Sequence, residues 1–168
     1  MNDYKVIPAG SKKFTLTRDD MPIGELNYIK WSSSKADIIL PNGPTYKVAP
    51  KGFWQRSTEI LENGVPILTF RSHWKLGILI STPAEMISHT YRLKHKSVWK
   101  SSYELLDEGD QQILLIEQNF KWKGFKTEYL VTPSITFNMS ARKELLILVS
   151  ICAIKQQQQQ TAAVVAST

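Results

Sequence analysis

Hydrophobic and polar positions alternate through most of the first 132 residues of this 168-residue chain, and then the alternation stops. In Phe53–Leu61, Trp54 and Ile60 share one parity while Gln55, Ser57 and Glu59 share the other. In Thr90–Lys96, Tyr91 and Leu93 oppose Thr90, Arg92, Lys94 and Lys96, and in Trp99–Leu105, Trp99, Tyr103 and Leu105 share a face. Period-two alternation marks strands with one buried and one wet face, the habit of antiparallel sheets. Asp19-Asp20, Asn42-Gly43, Asn63-Gly64 and Glu108-Gly109-Asp110 punctuate the pattern as turns. The spacing predicts twelve strands: Tyr4–Ile7, Lys13–Arg18, Ile23–Lys30, Lys35–Leu40, Thr45–Val48, Trp54–Leu61, Pro66–Arg71, Leu76–Ile80, Thr90–Lys96, Trp99–Leu106, Gln112–Asn119 and Lys126–Val131. Pro83–Ser88 is a candidate helical turn between two of them.

From Leu145 to Ile154 the chain reads Leu-Leu-Ile-Leu-Val-Ser-Ile-Cys-Ala-Ile, with no polar face at either strand or helix period. A helix that is apolar all round must be enclosed on all sides. Ser140 is its candidate N-cap, although Glu144 stands one residue too far on for a capping box. Ten helical residues rise ~15 Å against a hydrocarbon core of ~30 Å, and charged residues flank the run. It is therefore predicted not to span a membrane. The expected organisation is one domain over residues 1–155, with the helix over about 141–155. A Gln-rich and small-residue tail over 156–168 is expected to be flexible.

A run of short antiparallel strands closes into a sandwich or a barrel. Side chains alone fill an eight-stranded barrel, whereas about twelve strands leave a lumen that must be occupied. A helix with its side chains is ~10–12 Å across. The predicted fold is thus mainly β: a closed antiparallel barrel of about twelve strands around a central hydrophobic C-terminal α-helix. Leu145, Leu146, Leu148, Val149, Ile151, Cys152 and Ile154 are the named core of that helix. Each large apolar side chain buried there stabilises by about 1.5–3 kcal/mol, so the helix is expected to be indispensable for folding.

This arrangement resembles the tubby C-terminal-like superfamily, which includes the LURP-one-related proteins and the phospholipid scramblases. The residues that carry the resemblance are Glu144–Ile154 after a β-only region, the hairpin unit Asp19-Asp-Met-Pro-Ile-Gly24, and the unit Trp99–Asp107. It covers about Tyr4 to Lys155. It implies a twelve-stranded barrel around a central helix, and tubby domains are phosphoinositide binders. A scramblase-type calcium loop and a cysteine-rich palmitoylation segment have no counterpart here.

Chemistry narrows the picture mainly by what is missing. His73, His89 and His95 form no helical ligand pair, and no HExxH, Walker A or GxGxxG motif occurs. Asp107, Glu108 and Asp110 lack the twelve-residue loop of a calcium site and read as a solvated hairpin tip. No enzyme activity, metal or cofactor is expected. Cys152, the single cysteine, lies inside the apolar run and reads as a small buried hydrophobe. Neither a secretory signal nor an N-myristoylation start is visible at Met1-Asn2, and a cytoplasmic, membrane-peripheral location is expected.

The net charge is +6 and the pI about 9.4. Basic residues concentrate late in the chain. Arg92, Lys94 and Lys96 share one strand parity, Arg71 and Lys75 lie a hairpin or two earlier, and Lys121 and Lys123 flank Trp122. These seven are the candidate site for anionic lipid headgroups, each basic residue contributing ~1 kcal/mol near a charged membrane. The bland reading is a solvated face. By parity the five tryptophans are expected to face mostly inward, which argues against nucleic acid, since single-strand binders display stacking aromatics. The expected function is a non-catalytic barrel module that binds anionic lipid headgroups at a membrane surface. The alternative is a lipocalin-like carrier of a small apolar ligand, which would need an empty lumen.

Overall fold

A computed structural model describes residues 3–30, 32–41, 43–52, 56–83, 89–137 and 142–168. Twelve strands run in order: β1 (Tyr4–Pro8), β2 (Lys13–Arg18), β3 (Met21–Tyr28), β4 (Ala36–Ile39), β5 (Thr45–Lys51), β6 (Ser57–Glu62), β7 (Val65–His73), β8 (Gly77–Ser81), β9 (Thr90–Ser97), β10 (Ser102–Leu106), β11 (Gln112–Lys121) and β12 (Lys126–Pro133), followed by α1 (Lys143–Ser167). Every strand pairs antiparallel with its sequence neighbours, and β1 closes the ring on β12. The twelve-stranded closed barrel and its C-terminal helix are therefore as the sequence predicts.

The alternation explains the wall. In β3, Gly24, Leu26 and Tyr28 are buried while Glu25 and Asn27 are partly open; β8 buries Ile78 and Ile80. The two-residue connections set the register. Asp19 and Asp20 both have positive φ, as do Asn63 and Gly64, which matches the right-handed twist of the strands they join. Inward side chains from the strands form one core with Leu145–Ile154 of α1, and all of those helical residues are at most 4% exposed. Gly24 is where strand and helix come closest, because a Cβ there would meet Leu148 at 3.3 Å and Leu40 at 3.0 Å. Ser150, the one polar side chain in the run, donates to the Leu146 carbonyl at 2.8 Å, so its burial leaves no hydroxyl unpaired.

Three expectations need correction. The helix does not stop near residue 155 but runs to Ser167. Its glutamines and Thr161-Ala-Ala-Val-Val-Ala166 contain no glycine or proline to end it. Gln156 and Gln158 also tie it to the wall: Thr58 donates to Gln156 at 3.2 Å, and Gln158 donates to Tyr103 at 3.3 Å and to Gln118 at 3.1 Å. At the other end, Arg142 holds the cap position without a side-chain cap bond; Ser140 lies outside the described residues. Trp99 is not a strand residue sharing the face of Tyr103, because β10 begins only at Ser102 and Trp99 sits in the preceding turn. Trp54 and the proposed helical turn after Pro83 also fall outside the described residues.

Antiparallel order gives the barrel two unlike ends. Connections from odd to even strands lie at one end, and connections from even to odd strands lie at the other. Because β12 ends at the second, α1 enters there and leaves through the first. Contacts agree. Arg142 pairs with Glu62 at the end of β6, whereas Lys155 lies over Phe14 at the start of β2.

Leu148→Ala should lower unfolding stability by about 2–5 kcal/mol, since a void beside Gly24 cannot collapse in a closed ring. Ser150→Ala should cost about 1 kcal/mol or less, because the lost hydroxyl leaves no buried donor behind. Urea unfolding followed by circular dichroism reads both. Deleting everything after Met139 should abolish cooperative unfolding altogether.

Candidate headgroup-binding end of the barrel

The odd-to-even connections are the stretches 9–12, 29–35, 52–56, 74–76, 98–101 and 122–125. Together they hold Lys12, Lys30, Lys35, Arg56, Lys75, Lys100 and Lys123, and no aspartate or glutamate. All five tryptophans of the chain also belong to them, one in each of five connections. The even-to-odd connections carry Asp19, Asp20, Glu85, Asp107, Glu108 and Asp110. The barrel is thus electrically polar along its axis, with a basic, aromatic end where α1 emerges.

Among the described residues the aromatic groups at this end are open to solvent: Trp74 is 85% exposed, Trp99 99% and Trp122 80%. Trp31 and Trp54 lie outside the described residues, but for these three the exposure overturns the expectation that the tryptophans face inward. Their parity fails because they sit in turns, not in strands. Around them Ile29, Val98, Phe120 and Phe125 are exposed as well. Phe120 packs edge-on against Trp122 at 5.3 Å between ring centroids and against Phe125 at 6.5 Å, making one aromatic knuckle on the β11–β12 tip. Positive φ at Gly124 and Phe125 makes that turn sharp. On the β7–β8 tip, the Lys75 ammonium lies 4.5 Å from the centre of the Trp74 ring. The Nδ1 of His73 accepts the Lys75 and Leu76 amides at 3.3 and 3.2 Å, so this histidine shapes the turn.

The seven candidate residues divide between two places. Lys75, Lys121 and Lys123 belong to the basic end, and Arg71 lies on β7 below it. Arg92, Lys94 and Lys96 do share the outward face of β9, but each has an acidic neighbour there. Arg92 pairs with Asp110, and Lys94 and Lys96 meet Glu104 at 3.6 and 4.0 Å. Two carboxylates thus face the three cations of that stripe and offset most of its charge. Residues missed from the sequence are Lys12, Lys30, Lys35 and Arg56 and the exposed Trp74 and Trp99; Lys100 stands out in the sequence beside the β9 stripe but is not among the seven. The signal was present: Trp-Lys occurs at 74–75, 99–100 and 122–123, and tryptophans recur every 20 to 25 residues from Trp31 to Trp122. That interval is one up-and-down strand pair.

At the acidic end, Asp107 Oδ1 accepts the Gly109 and Gln111 amides, both at 2.9 Å, and Glu108 accepts the Thr90 amide at 2.9 Å. Asp107 thus holds its own hairpin, and Glu108 ties that hairpin to the start of β9. No three His, Cys, Asp or Glu side chains converge on a metal-sized site among the described residues. Cys152 is enclosed in the core with the Tyr28 hydroxyl 3.6 Å from its sulfur, and burial pushes its thiol up to about 11. Among the described residues, no helix is long and apolar enough to cross a membrane. No protein-family model, curated protein or solved structure matches the chain.

Cys152 should resist a thiol-reactive disulfide reagent in the folded protein and react at once in denaturant. Raising the pH from neutral toward, but short of, about 11 should leave the native rate flat, because the buried thiol stays protonated. Absorbance of the released chromophore measures it.

Proposed function

We propose that this chain is a non-catalytic barrel module that docks end-on and peripherally on anionic lipid headgroups, at the cytoplasmic face of a membrane. One observation carries the reading: the connections at one end of the barrel hold seven basic residues and no acidic ones, together with the exposed Trp74, Trp99 and Trp122. Tryptophan prefers the headgroup level of a bilayer, where its ring is half in apolar surroundings and its N–H stays wet. Each lysine near an anionic surface adds ~1 kcal/mol. Six hairpin tips at one end offer these groups together, so binding becomes multivalent without any single deep site. The closed ring around an all-apolar helix also supports membership of the tubby C-terminal-like superfamily, which we include in the proposal.

Exposed aromatics and lysines also suit single-stranded nucleic acid. Two features favour lipid. Aliphatic Ile29 and Val98 stand among the tryptophans, where a base gains nothing by stacking. The groups also sit on separate hairpin tips around the emerging helix, not along one face of the sheet. The carrier alternative would need its ligand outside the lumen, since Leu145–Ile154 occupy the core within the ring.

Vesicle flotation tests this. Binding to phosphatidylserine-containing vesicles should exceed binding to neutral phosphatidylcholine, and should fall as salt shortens the screening length from ~10 Å at 0.1 M to ~3 Å at 1 M. Lys75→Glu/Lys100→Glu/Lys123→Glu should weaken binding on the order of 100-fold or more, from three contributions of ~1 kcal/mol each. Arg92→Glu/Lys94→Glu/Lys96→Glu on the side wall should change it far less. Equal loss from both triple variants, or tighter binding to single-stranded RNA than to vesicles, would overturn the end-on lipid reading.

A further inference from the structure

Where α1 leaves the barrel, a cleft of about 530 Å³ opens between the β1–β2 and β11–β12 tips, with Lys155, Lys126, Ser11, Thr127, Tyr129 and Gln158 among its lining residues. Lys155 is the unusual member. It sits one residue past the apolar run, half-buried, with its ammonium 4.6 Å from the centre of the Phe14 ring and 5.8 Å from that of Tyr28. Burial pushes its pKa below the ordinary lysine value. Among the described residues no carboxylate lies within ion-pair distance of it, although other lysines of the wall have such partners. A partly desolvated cation with no counter-ion costs stability, and an aromatic face offsets only part of that cost. A methionine would fill the same space with no charge to desolvate.

We propose that this cleft is an anion site, and that it takes the phosphate monoester of a small molecule or lipid headgroup between Lys155 and Lys126. A phosphate monoester carries up to two charges and three strong acceptor oxygens, which suits two ammonium groups beside hydroxyl donors on Ser11, Thr127 and Tyr129. Gly10 and Gly124 keep the mouth open, one bearing no side chain on each of the two tips that frame it. The proposal deepens the membrane-docking function, resting on it only for the source of the anion. The rim supplies non-selective attraction, and the cleft selects the headgroup.

Titration of the whole protein with glycerol 3-phosphate and with inorganic phosphate, by calorimetry, tests the site. Flotation on vesicles of phosphatidylcholine with phosphatidic acid, or with phosphatidylserine at matched charge, tests the source. Saturable one-to-one binding of glycerol 3-phosphate is expected, weakened at least tenfold by Lys155→Met and severalfold by Lys126→Ala, which alters only an exposed side chain. Lys155→Met should also melt no lower than the natural protein, a result that a purely structural lysine would not give. On vesicles it should abolish any preference for phosphatidic acid while leaving phosphatidylserine binding intact. Inorganic phosphate binding as tightly as vesicle-borne phosphate would assign the site to a free anion; a strong preference for vesicles would assign it to a headgroup. Undiminished phosphate binding in both variants, or no saturable binding of either phosphate or phosphatidic acid vesicles, overturns the site. Loss of phosphatidylserine binding alone would instead count against the docking function.

Discussion

A ring of twelve strands must be filled, and the rest of this molecule follows from how that is done. Eight strands pack their own side chains across the axis, but twelve leave a gap about the width of one helix. Only a segment apolar on every face can occupy that gap without stranding a polar group, and Leu145–Ile154 is such a segment. The two parts need each other. Without the wall the segment has nowhere to be dry, and without the helix the inward faces of all the strands border a void. Gly24 shows how closely they fit, since a single added carbon there would already press on Leu148.

Filling the ring from the C-terminus gives the barrel a direction. The helix must enter at the end where β12 stops and emerge at the opposite end. Antiparallel order then sorts the hairpin tips into two sets with no further device. Charge follows the same division, with the acidic tips at the helix entrance and the basic, tryptophan-bearing tips at its exit. At the entrance, several carboxylates already have partners within the barrel: Asp107 accepts the Gly109 and Gln111 amides, Glu108 the Thr90 amide, and Asp110 pairs with Arg92. At the exit, lysines and indoles are left open, and nothing in the folding of the wall requires them there. An apolar side chain left exposed on a turn contributes no burial to the fold. Exposed aliphatic groups occur at both ends, but the exposed indoles of Trp74, Trp99 and Trp122, beside Phe120 and Phe125, stand at the exit alone and point to contact with something outside the chain.

The fold was legible in the sequence because it rests on one period and on its loss, both visible in the order of apolar and polar residues. Period two in Thr90–Lys96 and the absence of any period in Leu145–Ile154 suffice to call for strands around a plug. The site was legible only in part. Arg92, Lys94 and Lys96 stand out because they are close in sequence, but proximity along a strand hides what faces them across the sheet. Glu104 and Asp110 on neighbouring segments offset two of those three charges. Lys100 was grouped with that stripe for the same reason, although it belongs with Lys75 and Lys123, which are far away in sequence and near only through the parity of the connections. Trp99 was misplaced because alternation was extended past the end of a strand into its turn, where side-chain direction no longer obeys period two. The helix was cut short because a glutamine run looks like a tail, although glutamine is a sound helix former and Gln156 and Gln158 find partners on the wall.

Lys155 stands where these constraints meet. It is the first residue after the apolar run, at the level where the helix passes from dry core to open rim. A glutamine there would satisfy the transition at less cost, as its neighbour Gln156 does by pairing with Thr58. A lysine whose aliphatic stem is buried and whose ammonium rests on Phe14 and Tyr28 without a counter-ion is the more expensive choice. Core packing alone would favour an uncharged residue at that position, so the charge is explained by what it meets in the cleft and not by what it contributes to the barrel.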